Sequence, residues 1–122
     1  MWFRSKRPEP SIADALDVLA GLLRAGTSIR AALTGWHVEA PSSFTGSLRE
    51  LDRLLTLGMS PVDSLSGLAK DERFRAVAHE LAGSLSVAER VGADASAAVA
   101  RIAAEVRDRA ADTAAAVAAA SG

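Results

Sequence analysis

Few residues in this 122-residue chain have the types and spacing for chemistry. Its histidines, His37 and His79, are candidate metal ligands, general bases or phospho-acceptors. A thiolate site is excluded because the chain has no Cys, and neither His stands in the His-Glu-x-x-His spacing that holds a catalytic zinc. Fifteen acids offer chance carboxylate pairs, but none stands in a motif that marks a general acid and base. The glycines are single and not gathered into a phosphate-cradling loop. The sequence therefore predicts no catalytic centre, no cofactor and no metal site.

The strongest local chemical pattern is Phe74-Arg-Ala-Val-Ala-His79-Glu80-Leu81. It resembles the phospho-accepting helix of sensor histidine kinases, which carries a Phe five residues before His-Glu-Leu. Helical spacing places His79 opposite Leu81 and Leu85, on the solvent side. However, Ala82, Gly83 and Ser84 stand where that family has Arg, Thr and Pro, and the chain has no nucleotide-binding domain. A phosphorelay fragment using His79 stays as an alternative, as does a plain helical adaptor.

The elements that would position any such residue follow a repeat. Leu22-Leu-Arg-Ala-Gly26-Thr-Ser28, Leu54-Leu-Thr-Leu-Gly58-Met-Ser60 and Ala88-Glu-Arg-Val-Gly92-Ala-Asp94 share one grammar, with glycines 32 and then 34 residues apart. An apolar helical run meets a Gly, which suits the left-handed residue after a helix end. Two residues later Ser or Asp can cap the next helix. A small and an aliphatic residue close each unit: Ala32-Leu33, Ser64-Leu65 and Ala98-Val99. Self-similarity at this period predicts an all-α, antiparallel six-helix bundle built from three helix–Gly-corner–helix hairpins.

Periodicity assigns each helix a buried face. The first begins after Ser11, with Asp14 completing a capping box, and buries Ile12, Leu16, Leu19 and Leu23, widened by Ala15 and Leu22. The second buries Ile29, Ala32, Leu33 and Trp36 and is over by Pro41. Ser42, Ser43 and Thr45 compete to cap the third, which carries Leu48, Leu51, Leu54 and Leu55. Ser60-Pro61-Val62-Asp63 opens a brief fourth helix with Val62, Leu65 and Leu68 inward. Asp71 caps a long fifth, with Phe74, Val77, Ala78, Leu81, Leu85 and Ala88 buried. The sixth opens at Asp94 and turns Val99, Ile102, Val106 and Ala110 to the core, with Glu105 and Arg109 as an i, i+4 pair.

Residues 1–10 form a basic, proline-punctuated flexible lead in which Trp2-Phe3 beside three cations suits a lipid headgroup contact or a frayed end. The helical domain spans 11–109. Residues 110–122 are an Ala-rich tail that propagates helix but buries little. A net charge of −1 gives no bulk attraction to nucleic acid, and no run of about 18 apolar residues could span a membrane. Twelve of the fourteen cations are Arg. Beside the third corner Glu89 and Arg90 are the candidate partner contact, since a protruding corner is where a partner can dock.

With the three corners placed, residues from about Ser11 to Arg109 resemble the cytoplasmic domain of the type II secretion F family. The similarity rests on Leu23–Leu33, Leu55–Leu65, Ala88–Val99 and the closing Ile102–Arg109, in order and in register. Small, Ala- and Arg-rich members of the tight-adherence (Flp pilus) branch are the most similar. The resemblance implies a non-catalytic platform domain at the cytoplasmic face of the bacterial inner membrane, coupling a secretion ATPase to pilin assembly. It also implies other platform subunits as partners and flanking transmembrane helices. This chain is then either an excised domain, its tail leading to a membrane segment, or a soluble derivative. Some family bundles pair at an acidic, ion-binding interface, but no motif here carries that site over.

Overall fold

A computed structural model describes residues 9–122. The expected lead, residues 1–10, falls almost wholly outside them, and the described Glu9 and Pro10 are exposed and in no regular element. Among the described residues the fold is all helical. Six α-helices run α1 Ile12–Arg24, α2 Ile29–Glu39, α3 Thr45–Thr56, α4 Pro61–Ser66, α5 Glu72–Val91 and α6 Ala95–Ser121, with 3-10 turns at Ser42–Phe44 and Gly67–Lys70.

Each α-helix packs on the next in sequence and α6 packs back on α1, so the helices close a ring. The extensive neighbours are α1 with α6, α2 with α3 and α4 with α5, whereas the pairs joined by a glycine corner touch less. The repeat in the sequence is thus a repeat of corners, and the larger interfaces lie between helices that no glycine corner joins.

The glycine corners behave as their chemistry requires. Gly26, Gly58 and Gly92 have φ of 98°, 99° and 70°, and no other described residue has positive φ. At Gly58 the helix end closes on two backbone bonds: Gly58 N–H donates to Leu55 O at 3.0 Å and Met59 N–H to Leu54 O at 3.1 Å. At Gly26 the Thr27 hydroxyl instead donates to Leu22 O at 2.7 Å. Each following helix is capped as expected, the Ser28, Ser60 and Asp94 side chains accepting the amides of Ala31, Asp63 and Ala97 at 3.1, 3.1 and 3.2 Å. The Ser11–Asp14 capping box is present, and Asp71 caps α5 by accepting the Arg73 amide.

The core is Leu and Ala around an aromatic group. Trp36 and Phe44 each meet the ring of Phe74 edge to face, at 5.8 and 5.6 Å between centroids. The Trp36 Nε1–H donates to Ala15 O at 2.8 Å, tying α2 to α1. Arg73 lies over Phe44, 4.3 Å from the ring centre. Phe44 is one of the largest fully buried side chains, yet the sequence pattern assigned it no place.

Four expectations are corrected. None of Ser42, Ser43 or Thr45 caps α3, because a 3-10 turn closes that entry, with Phe44 N–H donating to Pro41 O. Val62 is exposed, and Ser64 takes the inward position with its hydroxyl unpaired. Ala110 is exposed, since α6 outruns the start of α1. Among the described residues Glu105 and Arg109 make no ion pair, with each other or elsewhere. Ile12, Leu22, Leu23, Ile29, Leu54 and Val106 are only half-buried; the other assigned core residues are buried.

Candidate interaction surface

The three corners lie at one end of the fold. Arg30, in the first turn of α2, donates from Nη1 to Leu55 O at 3.0 Å and from Nη2 to Met59 O at 3.4 Å. A cation is thereby placed on the carbonyl end of α3, and the first corner is clamped to the second. Ile29, Pro61, Val62 and Glu89 line one crevice, which joins the first two corners to the end of α5. The positive field of Arg24 reaches Asp94, linking the first corner to the third.

This end is apolar as well as charged. Leu57, Met59, Val62 and Val91 are exposed there, Leu57 and Val91 by about 70%. Glu89 and Arg90 are both exposed and, among the described residues, neither makes an ion pair. Hydrogen bonds from the Ser96 hydroxyl and the Ala97 amide hold the Asp94 carboxyl below the usual carboxylate range, so the third cap is anionic at neutral pH. Apolar side chains ringed by unpaired charge suit recognition of another protein.

The candidate chemical residues do not assemble. His79 is exposed on α5, as its spacing predicts, beside a groove of about 590 Å³ between α5 and α6 that also holds Glu80, Asp94 and Arg101. Among the described residues no side chain makes a hydrogen bond to its imidazole, so no nucleophile–base pair is formed there. His37 pairs with Asp52 across α2 and α3, Nε2 to Oδ2 at 3.3 Å, and sequence reading missed the pair because the two are 15 positions apart on different helices. The neighbouring Thr56 hydroxyl donates to Asp52, not to the imidazole, so this is no nucleophile triad. Asp14 and Asp17 converge on one guanidinium, Arg107, at 3.0 and 2.7 Å, which uses them to seat α6 on α1. Among the described residues no group of three or more acids and histidines could hold a metal ion, and no helix is long and apolar enough to cross a membrane.

Comparison with known proteins finds one family. The family model for type II secretion system (T2SS), protein F, matches residues 15–122, running through all three corners and the Ala-rich tail. No curated protein and no solved structure matches the chain. The family match covers nearly its whole length, and the chain belongs to the type II secretion system protein F family.

Proposed function

We propose that this chain is a platform domain of the tight-adherence (Flp pilus) type, working at the cytoplasmic face of the bacterial inner membrane. In this reading residues 11–109 form an antiparallel bundle of three hairpins, and the tail from residue 110 leads toward membrane-embedded partners. The domain carries the motion of a secretion ATPase to pilin assembly through contacts with the ATPase and with other platform subunits. It works by contact and not by catalysis, and it needs no cofactor and no nucleic acid.

The observation that supports this reading is the gathering of three corners at one end, with exposed Leu57, Met59 and Val91 near the unpaired Glu89 and Arg90. Corners held by capped helix ends resist deformation, so force applied there passes into the helices and not into loop motion. The test is the affinity of the domain for the secretion ATPase of the same operon. Glu89→Arg with Arg90→Glu is expected to weaken binding at least ~tenfold by swapping rim charges, with the circular dichroism spectrum unchanged. Wild type that does not bind, even with membrane segments attached, removes the coupling role. Equal binding by the variant moves the contact off this corner.

A further inference from the structure

Between the glycine and the capping residue the three corners carry different spacers: Thr27, Met59 and Ala93. Two are small and one is long and apolar, although the first two glycines have nearly the same φ, 98° and 99°. The hydrogen bonds of the second corner engage Met59 through its backbone alone. Its N–H donates to Leu54 O at 3.1 Å, and its carbonyl accepts Arg30 Nη2 at 3.4 Å. The turn therefore has no need of a thioether. The side chain adds instead to the surface, 39% exposed at the end of the fold where Leu57, Val62 and Val91 are exposed too.

Sulfur makes this position chemically singular. The chain has no Cys and no Tyr, and its two methionines are Met1 and Met59. Met59 thus holds the one sulfur atom among the described residues, and Trp36, the one indole among them, is fully buried. A hydroperoxide that meets the described domain finds its most oxidisable accessible group at Met59.

We infer that Met59 is a site of reversible oxidation, and that its sulfoxide releases the partner held at the corners. In the step, a sulfur lone pair takes the terminal oxygen of a hydroperoxide and the O–O bond breaks. Sulfur loses two electrons and the peroxide gains them; with hydrogen peroxide the second oxygen leaves as water. A thiol-driven methionine sulfoxide reductase reverses the change. The new oxygen is a strong hydrogen-bond acceptor, and among the apolar side chains of a docked interface it loses its water without gaining a donor. The fold is spared, because the bonds of the corner lie in the backbone. The inference rests on the reading of the corner end as a partner contact and adds its control.

Peroxide treatment of the full chain tests both parts, with the peroxide removed before the ATPase of the same operon is added. Trypsin separates the two methionines into peptides 1–4 and 54–70. The expected result is one oxygen on peptide 54–70, removed by the reductase, with the circular dichroism spectrum unchanged. Affinity for the ATPase should fall ~tenfold or more on oxidation and return on reduction. Met59→Leu, which conserves volume, should bind as wild type does before peroxide and keep its affinity after it. Met59→Gln should bind weakly without any peroxide. Peptide 54–70 left unoxidised while peptide 1–4 is oxidised, or oxidised wild type that binds as tightly as before, overturns the inference and leaves the platform contact standing. An equal loss of affinity in peroxide-treated Met59→Leu overturns it as well. Wild type that does not bind before oxidation removes the contact and its release together, and the peptide map still decides whether Met59 is the oxidation site.

Discussion

The two halves of α6 have the same backbone conformation for different reasons. In the first half Val99, Ile102 and Ala103 are buried against the bundle, and Arg107 closes it with two carboxylates of α1. In the second half Ala predominates and every residue is exposed, with no described element packed on it. Packing holds the first helix half, whereas side chains that lose little entropy hold the second. A helix alone therefore says nothing about whether a segment belongs to the core.

The largest effect should separate these halves. Ile102→Ala removes a fully buried side chain and leaves a cavity, so a loss of ~2–4 kcal/mol is expected from denaturant midpoints. Val117→Ala, in the tail, should stay within ~0.5 kcal/mol when measured dilute. Comparable losses at both sites would mean that the tail is covered within a single chain, and the distinction would fail.

Glycines extend the comparison to the backbone. No heavy atom lies within 4 Å of a Cβ built at Gly83 or Gly92, so crowding plays no part at either. Gly92 sits at φ 70° and Gly83 lies inside α5. Gly92→Val should therefore cost roughly 1–2 kcal/mol through left-handed strain, while Gly83→Ala should gain about 0.5–1 kcal/mol. A neutral Gly92→Val would sever the link between the repeat and the fold.

That link explains what the sequence could reveal. Gly26, Gly58 and Gly92 are legible because a Cβ clash is local, and Ser28, Ser60 and Asp94 are legible because a cap acts over three residues. Val62 was misplaced because Val62, Leu65 and Leu68 recur strictly in threes, and each such step on an α-helix drifts about 60°. Ser64, four residues before Leu68, holds the inward direction instead. Ala110 continues a correct stripe, but burial needs an opposing element, and α1 starts too late to provide one. Phe44 stands in a 3-10 turn, outside any stripe, and its burial depends on Phe74 thirty positions away. Three antiparallel hairpins already imply corners at one end, but the clamp of Arg30 on Leu55 O was not legible, because it is a fact of packing. Nor was the pairing of Arg107 with Asp14 and Asp17, more than 85 positions apart.

The smallest effect concerns the boundary between the two halves, where Asp14 meets Arg107. The Asp14 carboxyl is held below its ordinary value first by the Ser11 backbone N–H, which donates to it at 2.9 Å, and then by Arg107. A carboxyl depressed in the folded state stabilises the fold above the unfolded pKa of about 3.8, and that contribution fades as pH falls through the folded value. Both groups are about half exposed, so solvent screens the pair and removing it at neutral pH should cost roughly 0.2–1 kcal/mol. Stability measured from pH 6 down to ~2 should thus decline less steeply in Asp14→Asn than in wild type. Arg107→Gln should lie between them, because it leaves the Ser11 bond in place. If Arg107→Gln flattens the acid limb as fully as Asp14→Asn, the ion pair and not the cap dominates Asp14. The packed half of α6 would then be held at its end by charge as much as by the side chains beneath it.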